Sequence, residues 1–424
     1  MIESGRAAAC NPNFRKYGMV LALFILSMIT YVDRTSIATA KDQIAAQLTL
    51  SDSAMGMVFG AFALGYAFTQ IPAGWLADWL GPRVVLTSAV GLWSVLTALT
   101  GAAWSLPALL AIRFLFGAGE AAVFPGSARA IRNWLPPGQR GRANGALFAG
   151  SRIGAAISYP LLVWMLARWN WRSAFFILGM VGLVWATCWM IWFRDSALNK
   201  QSSQPDINVH ADEDAPSRGG NITSMVGLAM TQYFASNFTN FICLSWMFPY
   251  LKAQYHLSNS HAALYAMAPL LLGATSQGIA GTLVDRMYRS SLRSWSRRFP
   301  SIVGFALAAA GLIAVTQSHS VGTAVLAFTI AIFGADLTIS PSWVFCADIA
   351  GKRTGSFSGA MNMLGSIGAF ASANAFPFMN RITGSSSAYF ILAAALNVVG
   401  IICWLRMRSV DFPLSSMAEP VRGN

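Results

Sequence analysis

Apolar residues along this chain form long unbroken runs, and few stretches show the alternation or one-sided periodicity of a half-solvated strand or helix. Twelve runs, at about 17–38, 54–77, 83–104, 106–130, 141–166, 173–193, 222–250, 261–284, 300–317, 321–347, 355–379 and 385–406, match the ~20 residues a helix needs to cross the ~30 Å hydrocarbon core. The pattern predicts an all-α membrane protein of twelve transmembrane helices. A polar stretch from Arg194 to Asn221, containing QSSQPDINVHADEDAPSRGG, separates six runs from six. It holds too little apolar surface to order itself. The chain therefore divides into a six-helix bundle over 1–193, a linker over 194–221 and a second bundle over 222–424.

Composition removes the soluble alternative, since 55% of the 424 residues are hydrophobic, 11% are charged and the mean hydropathy is +0.52. The formal charge of +13 has a directional meaning. With both termini on one side, that side collects 21 of the 29 Lys and Arg residues, the other side 5, and 3 lie within spans. The excess of cations predicts cytoplasmic termini. Cations scattered over short loops make no basic face for nucleic acid, although Arg286, Arg289, Arg293, Arg297 and Arg298 could meet anionic lipid headgroups. The five cysteines form no CxxC or Cys/His cluster, and the four histidines fall in expected loops. No metal or cofactor is expected, and the absence of GxxxxGK[ST] argues against ATP as a driver. The first 16 residues lack the features of a cleaved signal, so the first run is expected to stay as a helix.

The two halves echo each other. GWLADWLGPR, from Gly74 to Arg83, follows the second run, and GTLVDRM, from Gly281 to Met287 with Asp285, follows the eighth. Glu120 precedes Pro125 by five positions in the fourth run, as Asp336 precedes Pro341 in the tenth. GRANGALF around Gly145 is matched by GSFSGAMN around Gly359. Ordered echoes of this kind predict duplicated bundles with a site between them near the membrane midplane.

Charges inside the runs mark that site, because an ionisable group at membrane depth is costly and normally faces the bundle interior. They are Asp33, Arg34, Arg113, Glu120, Arg152 and Asp336. Tyr31 and Arg34 share a helix face, and Arg113 and Glu120, seven apart, come within about 20° of one. A guanidinium holds a carboxylate with two hydrogen bonds and does not titrate, whereas a partly desolvated carboxyl beside it can exchange a proton.

G-x-L-x-D-x-x-G-x-R at Gly74, Asp78, Gly81 and Arg83 resembles the signature loop of the major facilitator superfamily. Within that superfamily Y-x-D-R (Tyr31, Asp33, Arg34) and R-x(6)-E-x(4)-P (Arg113, Glu120, Pro125) resemble the anion:cation symporter family, whose members carry galactonate, hexuronates, glucarate and phthalate-type acids. The resemblance implies a proton-coupled symporter importing a small organic carboxylate across a bacterial inner membrane by alternating access; a monomer is the default expectation. It implies that Arg34 binds the substrate carboxylate and that Asp33 and Glu120 carry protons, the alternative being structural roles only, with Arg113 and Glu120 as an ion pair between helices and Asp33 positioning its neighbour. Arg113 with Glu120 would couple the two events. Gly74, Asp78, Gly81, Arg83 and Asp285 would be gating and structural residues. Tyr66, Ser340, Trp343, Asn362 and Ser366 resemble family positions that touch substrate, with helix packing as the alternative for Tyr66 and Ser366.

Two residues depart from the galactonate-like pattern. Ser151 and Arg152 stand where those carriers have a Gln that meets sugar hydroxyls, so Arg152 either supplies a third cation for a dicarboxylate or aromatic acid or pairs with Glu120 or Asp33. Asp336, the counterpart of Glu120, shares a face with Ser340 and Trp343 at i, i+4 and i+7, so it is expected to face the site as an added protonatable or polar-contact group, the alternative being a helix-end or lipid-side position outside it. The alternative on the same scaffold, a proton-antiport exporter of drugs or metabolites, is opposed by Arg34 and Arg113, since a cation exporter would keep a lone carboxylate.

Overall fold

The computed structural model describes residues 12–195 and 222–407. Most of the expected linker and both chain ends, with the cytoplasmic placement of the termini, lie outside the described residues. The helices are α1 (Pro12–Thr39), α2 (Lys41–Leu48), α3 (Asp52–Leu80), α4 (Pro82–Gly101), α5 (Leu106–Glu120), α6 (Val123–Trp134), α7 (Arg140–Arg168) and α8 (Trp171–Trp192) in the first half. The second half contains α9 (Ile222–Ser245), α10 (Met247–Tyr255), α11 (Asn259–Tyr288), α12 (Arg298–Thr316), α13 (Val321–Leu337), α14 (Ile339–Ala350), α15 (Thr354–Thr383) and α16 (Ser387–Arg406). With α5–α6, α9–α10 and α13–α14 each counted as one interrupted rod, and the short α2 set aside, these are the twelve expected spans. His261, expected in a loop, falls in the first turn of α11.

Packing repeats in the two halves. In the first, α1 lies on α7, α3 on α5 and α4 on α8; in the second, α9 lies on α15, α11 on α13 and α12 on α16. The halves meet where α3 packs on α15 and α7 on α11, contacts that the same two-fold relation exchanges. Nine of the described rods are long and apolar enough to cross a bilayer by themselves, and α7, α9 and α15 are not. Those three carry Arg152, Asn240 and Asn362 toward the seam between the halves, so their polar residues avoid lipid.

The fourth and tenth spans break at matching places. Glu120 ends α5, and Asp336 is one residue from the end of α13. Pro125 and Pro341 follow, and a proline lacks the N–H that would close a bond to the carbonyl four residues earlier. Each break leaves a carboxylate at a helix C-terminus, where the helix dipole disfavours negative charge. Each carboxylate is met by an arginine.

On the face where α1 begins and α16 ends, called proximal here, the halves are sealed by an equivalent pair of caps. Asp78 accepts from the backbone N–H groups of Gly355 and Ser356 at 2.8 and 2.7 Å and from the Ser356 hydroxyl at 2.8 Å. Asp285 accepts from the N–H groups of Gly141 and Arg142, both at 2.9 Å. Each acid thus caps the N-terminus of a helix in the opposite half, a favourable place for an anion. The backbones touch closely beside these caps, and a Cβ on Gly74 would strike the Gly355 carbonyl, as one on Gly281 would strike that of Gly141.

Candidate functional site

The Arg34 guanidinium donates through Nε to Glu120 Oε1 at 2.5 Å, joining α1 to the broken end of α5. Aromatic rings surround it, with centroids 5.2 Å away for Tyr31, 5.4 Å for Phe62 and 4.6 Å for Tyr66. Beneath lies Asp33, whose Oδ2 accepts from Trp93 Nε1 at 3.2 Å. Arg113 stacks on Phe62 at 5.1 Å and on Phe116 at 4.6 Å. Asp33, Arg113 and Glu120 are all buried, and Arg34 keeps 21% of its side chain accessible. Four polar atoms in this cluster, Asp33 Oδ1, Arg34 Nη2, Arg113 Nε and Glu120 Oε2, have no hydrogen-bond partner. Buried unpaired atoms of charged groups are expensive, and these four leave the cluster with hydrogen-bonding capacity to spare.

The second half contributes Asn362, which donates from Nδ2 to the Tyr66 hydroxyl at 3.0 Å across the seam. Arg34, Tyr31, Tyr66 and Asn362 are thereby brought together, with Asp33, Glu120 and Arg113 around them. The bond to Glu120 comes from Arg34 on α1 and not from Arg113, with which Glu120 nearly shares a helix face. Seven residues separate Arg113 and Glu120 by two turns, about 10 Å along the axis, while α1 passes closer and Arg113 lies against Phe116 on its own helix.

Arg152 meets neither Glu120 nor Asp33. Its Nε and Nη2 donate to the two Asp336 carboxylate oxygens at 3.0 and 2.5 Å, and Nη2 also donates to Asn240 Oδ1 at 3.0 Å. This pair is buried and crosses between the halves.

The other expected contacts are engaged elsewhere in this conformation. Ser340 donates to the Gly141 carbonyl at 2.9 Å, and Ser151 donates to the Phe148 carbonyl of its own helix at 2.6 Å. Ser366 donates to the Asn362 carbonyl at 3.0 Å and accepts from Gln70 Nε2 at 2.9 Å. Trp343 donates to the Tyr233 hydroxyl at 2.8 Å and packs against Phe148 and Phe124 of the first half, at 5.4 and 6.0 Å. Ser340, Ser366 and Trp343 thereby take part in the seam between the halves. Among the signature-loop residues, Gly81 adopts φ +82°. Arg83 donates to the Met190 carbonyl at 3.1 and 2.6 Å and, from its backbone, to Asp195 at 3.0 Å. Both brace the first half internally. Burial raises the Asp195 carboxyl above its ordinary range against the Arg83 N–H bond.

The sequence reading missed several partners. Arg132 donates to the Ala347 carbonyl at 2.9 Å, and Asp348 accepts from Arg140 at 3.0 Å and from Arg297 at 3.2 and 3.0 Å, adding charged ties to the proximal seal. Arg297 is therefore engaged inside the protein, and Arg289 likewise donates to the Gly138 carbonyl at 2.7 Å. Phe62, Trp93, Gln70 and Asn240 also escaped notice. Asn240 and Gln70 carried a signal, as amides within apolar runs; Phe62 and Trp93 carried none, because aromatic residues are ordinary there.

This fold and site define a multi-pass membrane carrier, and comparison with known proteins agrees. The sequence pattern of the Major Facilitator Superfamily matches residues 23–373, and the chain belongs to that superfamily. It is 31% identical over 415 residues to the probable sulfoacetate transporter SauU of Cupriavidus necator, covering 95% of this chain and 96% of the relative. It is 28% identical to the hexuronate transporter of Bacillus subtilis, covering 92% and 94%. Among solved structures it resembles the proton:xylose symporter XylE, with a TM-score of 0.74 at 14% identity, over 93% of this chain and 96% of that one.

Proposed function

We propose that this protein is a proton-coupled symporter that imports a small organic acid across a bacterial inner membrane, with both termini cytoplasmic and one chain as the working unit. The observation that carries the reading is the Arg34–Glu120 pair with its unpaired atoms. When Glu120 takes a proton it no longer balances Arg34, and a substrate carboxylate replaces it on the guanidinium. When the substrate leaves, Glu120 loses its proton and returns. Acid and proton therefore occupy the site together, with Asp33 and Arg113 adjusting its charge. Tyr31, Tyr66 and Asn362 frame the rest of the molecule, and Trp343, Ser340, Ser151 and Ser366 become available to it as the proximal seal rearranges. With the proximal seam closed, the structure fits the half of the cycle in which the site faces the opposite side. The names of the relatives favour a sulfonated acid or a sugar acid. Two arginines beside the site oppose the exporter of hydrophobic cations.

The test is a thermal-shift screen of purified protein against sulfoacetate, hexuronates, hexonates and benzoates, followed by uptake in proteoliposomes under an imposed pH gradient. A ligand should stabilise the parent and not Arg34→Ala. The reading fails if no acid shifts the parent or if Arg34→Ala responds like it.

A further inference from the structure

The two broken helices each present an acid to an arginine, but the two pairs differ in one respect. Arg34–Glu120 lies within the first half, so rocking the halves leaves it intact. Arg152–Asp336 joins α7 of the first half to α13 of the second through two hydrogen bonds. Arg152 lies 12 residues inside α7, about 18 Å from its proximal end. The seals nearer the proximal face, such as Asp78 with Gly355 and Ser356, open into water when the halves part. While the seam is sealed this buried pair has no water to replace its bonds, and parting it bare would leave two uncompensated buried charges.

The surroundings are fitted to the pair. Gly273 of α11 stands against Asp336, where a Cβ would overlap the carboxylate. Asn240 of α9 accepts from Arg152, and its own Nδ2 has no hydrogen-bond partner. Gln277, one turn beyond Gly273 on α11, is fully buried with both amide atoms unpartnered. From α12 the contacts to α13 beside this level are made by Gly304, Leu307 and Ala308, and α14 adds Ser340, which bonds Gly141. Arg152 is the one charged side chain these contacts bring to Asp336 among the described residues.

We propose that Arg152–Asp336 is a second coupling pair, a lock between the halves that opens when Asp336 takes a proton from solution, after which Arg152 holds an anionic group of the substrate. Charge balances in the exchange: before it, Arg152 is matched by ionised Asp336; after it, by the substrate anion, with Asp336 neutral. The unpartnered amides of Asn240 and Gln277 then donate to the same anion. The inference rests on the carrier reading for its substrate and on geometry alone for its lock.

The buried thiol of Cys346, in the seam of the proximal side, reports opening directly. In full-length protein with Cys346 as its single cysteine, labelling by N-ethylmaleimide is followed from mildly alkaline to mildly acidic buffer, relative to the unfolded chain at each pH. The parent should label faster as pH falls. Asp336→Asn should label at least about fivefold faster than the parent at alkaline pH, with little further pH dependence. Arg152→Lys, which keeps the charge but loses the two-pronged bond, should label faster yet remain pH-dependent, and saturating sulfoacetate should speed the parent more than Arg152→Lys. The lock is overturned if the parent rate is flat with pH, or if Arg152→Lys and a folded Asp336→Asn both follow the parent. The carrier reading falls on different evidence, the Arg34-dependent thermal shift.

Discussion

At the scale of single residues, the distinction that matters is between a fixed charge and one that can be removed. Arg34 stays cationic, and its two-pronged geometry is what a carboxylate or sulfonate requires. Arg34→Lys should therefore weaken substrate binding about 10- to 100-fold, the loss expected for hydrogen bonds between charged groups worth ~1.5–3 kcal/mol, measured by titration calorimetry on folded protein. Glu120→Gln should show a different defect. A permanently neutral Glu120 leaves Arg34 open to anion at every pH, so exchange of labelled for unlabelled substrate should persist and lose its pH dependence. Net uptake driven by a pH gradient should fall to background. If Glu120→Gln still concentrates substrate against a gradient, another group carries the proton. Much of this was legible in the sequence, because six ionisable groups in apolar runs identify themselves by their cost. Their pairing was not. Tyr31, Arg34, Arg113 and Glu120 could be assigned helix faces, but which guanidinium reaches which carboxylate depends on the separation of α1 and α5, which no local pattern encodes.

At the scale of elements, the seam is built from reciprocal caps and small residues. Asp78 of α3, at the start of α15, and Asp285 of α11, at the start of α7, each place a carboxylate on a helix N-terminus of the other half. The glycines beside them allow backbone contact that a side chain would prevent. Gly281→Val should disrupt the α7–α11 contact, lowering the thermal transition and abolishing uptake, because its added atoms meet the Gly141 backbone. Gly91→Val and Gly227→Val, which face open space, should leave the seam untouched and retain near-parental uptake. The duplicated Gly-and-Asp motifs announced paired structures before any coordinates. That each acid would reach across to the opposite half, and that Arg83 would brace its own half, followed only from the packing of α3 on α15 and α7 on α11. Sequence periodicity also missed the interruptions at Trp246 and Thr338, because apolar character continues through a break that only backbone geometry reveals.

At the scale of the whole molecule, transport requires the sealed seam to open without the halves losing their internal packing. The inter-half bonds named above reach no deeper than Arg152, Asn362 and Tyr66, near the middle of their helices. Weakening the proximal seal should thus shift the balance toward the state open on that side. Arg132→Ala combined with Asp348→Asn removes the tie to the Ala347 carbonyl and the shared acid of Arg140 and Arg297. The variant should show several-fold weaker apparent affinity for substrate offered from the distal side, since that affinity falls in proportion to the fraction of molecules competent there. Half-saturation in oriented proteoliposomes measures this; an unchanged value would mean that these ties do not set the balance.

The sequence by itself determined the membrane habit, the twelve spans, the duplication and the charged residues of the interior, because each follows from the cost of placing a given side chain in hydrocarbon. Tertiary structure alone decided that Glu120 answers to Arg34 and Asp336 to Arg152, and that one pair stays within a half while the other bridges both. The reason is distance: a charge chooses its partner across a few ångströms of space, and those few ångströms are set by helices more than 80 residues apart in the chain.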